Sequence, residues 1–210
     1  MMKTNIKTAL IPLIIILVGS LTAMIASKYI NAWAFIPLAI VYWASIIVVV
    51  KPTKNMLKSY LKKPAYNFKI SIVSLIPVLL CSFSFIWGIK YIETPSLIIM
   101  WIIFAVINSF TEEIFWRGYL IDNLTWKPSI KVIYTTILFS LSHPLMWGVF
   151  SITIRSYIMV LPLLTMGLIW GYVYHKTKSL RWCILAHFLV DLLNLSVWVF
   201  LNIYIHPVIK

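Results

Sequence analysis

The chain has 210 residues, of which 62% are hydrophobic and 11% charged, and a formal net charge of +13. A soluble domain is nearer half apolar and a quarter charged, so this composition excludes one. No polar stretch is long enough for a second, soluble domain, and the basic residues sit in short segments between apolar runs, which argues against nucleic-acid binding and for a membrane topology signal.

Seven apolar runs approach or exceed the roughly 20 residues that cross a bilayer. In chain order they cover about 8–27, 32–50, 70–89, 96–120, 130–146, 156–175 and 180–204. Lipid offers no hydrogen-bond partners to a backbone, so each run must satisfy its own amides as a helix. The expected fold is therefore all-α: a polytopic transmembrane helical bundle of about seven spans, or eight, in one integral membrane domain over 1–210. Lys3 and Lys7 precede the first run as in a signal peptide. Its apolar length exceeds the usual roughly 7–15 residues, however, and no small-residue cleavage site follows. The fifth run contains Pro144, which predicts an interruption and a short or partly re-entrant helix.

Fourteen of the eighteen Lys and Arg residues fall on one side of this seven-span threading. They are Lys3 and Lys7, six lysines between Lys51 and Lys69, then Arg117, Lys127, Lys131, Lys176, Lys178 and Arg181. The other side holds Lys28, Lys90, Arg155 and Lys210. The positive-inside rule places the N-terminus in the cytoplasm, and the expected location is the cell membrane. The Lys-rich loop at 51–69 reads first as a topology signal that also meets anionic headgroups, and second as a docking site for an acidic partner. Cys81 and Cys183 fall inside spans without ligand spacing and read as small apolar residues, not a disulfide or a metal pair. His175 and His206 lie near span ends and carry no assigned role. The Trp and Tyr residues read as interface anchors and helix packing.

The chain has five acidic residues, and Glu112, Glu113 and Asp191 lie in apolar sequence. Ionisable groups inside a span are expensive, so their default reading is functional. Glu113 and Arg117 are four residues apart and share a helix face, where they can pair. Glu112 is rotated about 100° away and is free for proton chemistry. Phe139 and His143 repeat the four-residue spacing just before Pro144, where a helix break could open a polar cavity. His187, Asp191 and Asn194 make one polar stripe in the last run. Asp191 is placed to accept from one His187 nitrogen and fix its tautomer. Each motif also has a plainer reading: an ion pair at a helix end, an interfacial histidine, and a hydrogen bond that glues two helices. Together the three supply a base for water, oxyanion donors and orienting partners, which peptide hydrolysis needs.

In combination they resemble the CAAX protease and bacteriocin-processing (CPBP, or Abi) family of intramembrane endopeptidases. That pattern is EExxxR, FxxxH and HxxxN or HxxxD on successive helices. Here it is met by Glu112-Glu113 with Arg117, by Phe139 with His143, and by His187 with Asp191. Gly167-Leu-Ile-Trp-Gly171 and Lys178-Ser-Leu-Arg-Trp182 resemble the helix and turn before its last motif. The likeness covers roughly 96–195, the expected catalytic core.

The resemblance implies that Glu112 activates water, that Glu113 and Arg117 orient the site, and that His143 and His187 polarise the carbonyl or hold the water. Asp191 stands where many members have Asn. An ionised Asp cannot donate a hydrogen bond, so its role is either that of a protonated donor or a brace for His187. The resemblance leaves a metal open. Glu112, His143, His187 and Asp191 are possible Zn²⁺ ligands, but the HExxH signature is absent, and a metal-free mechanism is favoured. Expected partners are a peptide or protein substrate at the membrane and the bilayer itself, with no nucleic acid. The cavity is expected to open on the basic side. Two other functions fit the same residues: a non-catalytic peptide-binding immunity or scaffold protein of this fold, and a small proton-coupled transporter. Against the transporter, no inverted repeat is visible.

Overall fold

A computed structural model describes residues 2–64 and 68–209. Lys210 and the side chain of Lys3, both counted in the charge asymmetry, lie outside the described residues, as do residues 65–67 of the Lys-rich loop.

Among the described residues all regular structure is helical. Helix α1 (Met2–Ile30) turns through a 3-10 segment at Asn31–Ala34 and returns as α2 (Phe35–Val50). Asn31 makes the reversal with a φ of 51°, in the left-handed region that Asn tolerates. The Lys-rich loop contains one short helix, α3 (Lys54–Tyr60), whose first turn is capped by the Thr53 hydroxyl accepting from the Met56 amide at 3.2 Å. Next come α4 (Phe68–Ile72) and α5 (Ile76–Gly88), joined by a 3-10 turn. Helix α6 (Pro95–Glu113) opens on a proline, where no amide is needed. It runs on through a π-helical turn, Ile114–Tyr119, into α7 (Leu120–Asn123). Helix α8 (Pro128–Met146), the small α9 (Ile152–Arg155) and α10 (Val160–Thr177) follow. The chain ends with α11 (Arg181–Leu193), α12 (Ser196–Phe200) and a 3-10 turn at Pro207–Ile209.

Among the described residues five stretches are long and apolar enough to cross a membrane. The first, Ile6–Val50, is 45 residues long and folds back on itself as α1 and α2. The first six predicted spans thus each have a helix, but the seventh does not. Helix α11 has 13 residues, about 20 Å at 1.5 Å per residue, too short for a bilayer core of about 30 Å. Leu195 then takes a left-handed φ of 55° and α12 adds only five residues. Side chains from other elements stabilise this break. The Asp191 carbonyl, orphaned at the helix end, accepts from the Trp101 indole at 3.1 Å and the Ser196 hydroxyl at 2.7 Å. Irregular backbone at membrane depth is tolerated where protein buries it.

The expected interruption at Pro144 is also absent. Helix α8 passes through it to Met146 and continues as a 3-10 turn at Trp147–Val149. Pro144 lies in the last turn, so the ring removes one terminal hydrogen bond and does not divide the span.

Helix α6 packs on α11, with α2 behind α6 and α5 against α11, while α8 packs along α10. Gly167 and Gly171 allow that last contact. A Cβ on Gly167 would lie 2.7 Å from Thr136 Cγ2 and 3.1 Å from its Cα, so the two backbones touch as small-residue pairs permit. Four tryptophans, Trp116, Trp147, Trp170 and Trp198, are fully buried, so they pack the bundle and do not anchor the interface. The outer surface is apolar: Leu13, Ile14 and Leu17 of α1 and Leu79, Phe83 and Ile86 of α5 are all exposed. Such a surface suits a lipid solvent and no aqueous one.

The basic end of the bundle is tied together. The Leu180 amide donates to the Tyr60 carbonyl at 2.8 Å and the Ser179 hydroxyl to the Lys62 carbonyl at 2.7 Å. Arg181 Nε donates to the Leu61 carbonyl.

Candidate active site

The adjacent acids fall where α6 gives way to the π turn that carries Arg117. Such π turns are rare and concentrate at functional sites. Glu112 and Glu113 are both completely buried and Arg117 nearly so. Arg117 Nη1 lies 2.9 Å from Glu113 Oε1, which confirms the expected pair. The guanidinium is also flanked by aromatic rings, 4.1 Å from the Phe139 centroid and 5.2 Å from that of Trp170. Its charge is thus countered on one side by a carboxylate and on two others by ring faces.

Helix α11 brings His187 against this pair from 74 residues away: Nδ1 is 2.9 Å from the same Glu113 Oε1. A carboxylate oxygen accepts, so Nδ1 carries the proton and donates. The expectation that Asp191 fixes the tautomer is therefore corrected: Glu113 does so. Nε2 faces the other acids, 3.6 Å from Glu112 Oε2 and 3.8 Å from Asp191 Oδ2, beyond hydrogen-bond length. The ring itself stacks on Trp170 at 4.8 Å and 25°, which fixes its plane.

Asp191 has a partner that sequence reasoning missed. Asn108 Nδ2 donates to Asp191 Oδ2 at 3.1 Å, while Asn108 Oδ1 accepts from the Trp43 indole at 3.1 Å. An accepting carboxylate is what a donor amide selects, so Asp191 is held as an acceptor here. Asn108 stands four residues before Glu112 on the same helix face, a signal available in the sequence. Tyr42 was also missed. Its hydroxyl accepts from the Trp116 indole at 2.9 Å and faces Glu112 with its own proton. Beyond Tyr42 and His187, no close partner meets either Glu112 oxygen among the described residues. A buried carboxylate so weakly bonded is costly, and its place at the centre of the motif cluster marks it as the group held for chemistry.

His143 joins less directly. Its Nδ1 donates to the Phe139 carbonyl at 2.9 Å, leaving Nε2 as an acceptor in the neutral ring. The Phe139 ring lies 4.8 Å from His143 and 6.2 Å from His187, edge-on to both, and so separates the two imidazoles.

Both histidines line a cavity of about 310 Å³, together with Asn108, Phe139, Asp191 and Asn194. Asn194 Oδ1 is buried on this wall without a partner. Glu112 is not on the wall but lies behind His187. The rest of the lining is mostly apolar and comes from α5, α10, α12 and the segments 153–159 and 204–209. His206, left without a role above, is on the wall, and its Nε2 is 3.0 Å from the Ser84 hydroxyl. Its lining residues lie at mid-bundle and in the segments 153–159 and 204–209, and none comes from the basic end.

The possible metal ligands do not form a cage. Among the described residues no three His, Cys, Asp or Glu side chains are grouped to hold an ion. His143 is turned to a backbone carbonyl and Asp191 to Asn108. Cys81 and Cys183 are both free thiols, as expected.

The fold and the cluster define an integral membrane protein of helices with a buried site of three carboxylates, an arginine and two histidines beside a mostly apolar cavity. Residues 94–193 match the family described as type II CAAX prenyl endopeptidase Rce1-like. Over that segment, nearly half its length, the chain is similar to that family. No curated protein and no solved structure gives a match.

Proposed function

We propose that the protein is an intramembrane endopeptidase in which Glu112 activates the water that cleaves a peptide bond. The observation that carries this reading is the clamped imidazole: His187 is fixed by Glu113 on one nitrogen and presents the other to Glu112. The substrate's carbonyl lies in the cavity near His187 and His143. His143 Nε2 accepts a hydrogen bond from the attacking water. The water's proton passes to Glu112 by way of His187 Nε2, and the water oxygen bonds to the carbonyl carbon. Collapse of the tetrahedral intermediate breaks the C–N bond, and Glu112 returns the proton to the leaving amine by way of His187 Nε2. Glu113 and Arg117 hold His187 in its orientation, and Asp191 with Asn108 closes the site on the α11 side. No step in this reading is routed through a metal.

In this reading the protein sits in the cell membrane with its N-terminus in the cytoplasm, as the lysine distribution directs. The substrate is a peptide segment in or beside the bilayer. Glu112→Gln should abolish cleavage in purified, folded protein; a variant with full activity would refute the mechanism. One observation favours a second reading. Because Glu112 stands off the cavity wall, the same pocket suits a peptide-binding protein without catalysis. Peptide binding or cell protection that survives Glu112→Gln, in a parent that never cleaves, selects it.

A further inference from the structure

Helix α6 and its π turn carry their polar side chains in a column. Asn108, Glu112 and Trp116 follow one another at four-residue intervals, which places them along one side. Helix α2 packs against α6, and its adjacent residues Tyr42 and Trp43 meet the two ends of this column. Helix α2 lies outside residues 94–193, the segment that the family match covers.

The chemistry of the groups fixes the direction of both contacts. An indole N–H can only donate, whereas an amide or a hydroxyl can donate or accept. Trp43 Nε1 lies 3.1 Å from Asn108 Oδ1. The Asn108 amide therefore cannot turn over without setting its NH2 against the indole N–H. With Oδ1 held in this way, Nδ2 is directed at Asp191 Oδ2, 3.1 Å away. The same logic repeats at the other end of the column. Trp116 Nε1 lies 2.9 Å from the Tyr42 hydroxyl oxygen, which accepts from it. The single hydroxyl proton is left for Glu112, which the hydroxyl faces. Neighbouring rings restrain both side chains. Tyr42 meets Trp147 edge-on at 6.2 Å, and Trp43 packs on Phe104 at 5.6 Å. Tyr42, Asn108 and Trp116 are buried, where a hydrogen bond is stronger than in water.

Of the three acids in the site, Glu113 is held by Arg117 and His187. We infer that α2 holds the other two: Trp43, acting through Asn108, and Tyr42 are positioning residues that direct one polar hydrogen each, at Asp191 and at Glu112. The site is then incomplete without a helix from outside the matched segment. Neither Tyr42 nor Trp43 is on the cavity wall, so both act on the reaction through the acids. Their effect on rate rests on the peptidase reading; the direction of the hydrogen bonds does not.

The test uses the purified full chain in vesicles with a Leu-rich synthetic peptide. Tyr42→Phe and Trp43→Phe each keep an aromatic ring and lose the polar hydrogen. Each should lower kcat about tenfold, the worth of one hydrogen bond to a charged group. KM should stay within about twofold of the parent, because neither side chain lines the cavity. Unchanged kcat in either variant of a cleaving parent overturns the inference. A second measurement needs no cleavage. Trp43 and Asp191 are linked by Asn108, so Trp43→Phe and Asp191→Leu should be coupled in thermal unfolding in detergent. The double variant should lose less melting temperature than the sum of the two single losses, since the direction of the amide no longer matters once Asp191 is gone. Additive losses overturn the inference whatever the activity. Coupled losses in a chain that cleaves no peptide leave the hold of α2 on the acids standing and count against the peptidase reading alone.

Discussion

Arg117→Met isolates the ion pair on which the site is built. The substitution keeps the side chain's approximate length and removes its charge. It strands Glu113, completely buried, with the His187 Nδ1 donor as its remaining close partner among the described residues. Removing one member of a buried pair costs about 3–5 kcal/mol. Loss of the cation over Phe139 at 4.1 Å and Trp170 at 5.2 Å adds to this, at about 2 kcal/mol for a desolvated contact. Unfolding of the purified protein in detergent, followed by denaturant titration, should therefore show a loss of about 5–7 kcal/mol. Glu113→Gln in the same chain should recover part of it, because the stranded charge goes; the coupling between the two should be about 1–3 kcal/mol. Cleavage should fall by roughly 100-fold through kcat, since a displaced His187 misplaces the reacting groups. Arg117→Lys should not rescue, because an ammonium neither stacks between rings nor makes a planar contact with Glu113. If Arg117→Met unfolds within 1 kcal/mol of the parent, the pair is peripheral and the account of the site fails.

Three further outcomes follow from the same geometry. Glu112→Gln should unfold no more easily than the parent, since it replaces a weakly bonded buried carboxylate by a neutral group; a loss above about 2 kcal/mol in the same titration would show that Glu112 is a structural anchor. Asp191→Asn should keep at least a tenth of the cleavage rate, because an amide oxygen can still accept from Asn108, whereas Asp191→Leu should fall below a hundredth, and equal rates for both would deny the contact any role. Gly167→Ala should destabilise by about 1–3 kcal/mol, as its Cβ meets the Thr136 backbone, and Gly171→Ala by less, since its nearest neighbour is the Val132 side chain at 2.9 Å; the opposite order in thermal unfolding would contradict the α8–α10 packing.

What the residues disclosed on their own was local. Helices in lipid close their hydrogen bonds within one segment, so six predicted spans could be read from apolar length. Four-residue spacings place side chains on one face, so the Glu113–Arg117 pair and the Phe139–His143 contact were legible. The three motifs were legible as one site only because intramembrane charge is rare enough to imply a shared purpose.

The tertiary structure decided whatever depends on partners distant in sequence. The donor to Asp191 comes from 83 residues earlier, and the acceptor for His187 from 74; no periodicity carries such pairings. The seventh apolar run breaks because Trp101 and Ser196 take the Asp191 carbonyl, a cap supplied in part by another helix. Composition marks that run as a span, and only packing shows that its backbone can turn inside the protein. The position of the cavity was decided in the same way. Sequence sorts lysines by loop, but which half of a bundle stays hollow depends on how side chains from six helices and the segments 153–159 and 204–209 fill it.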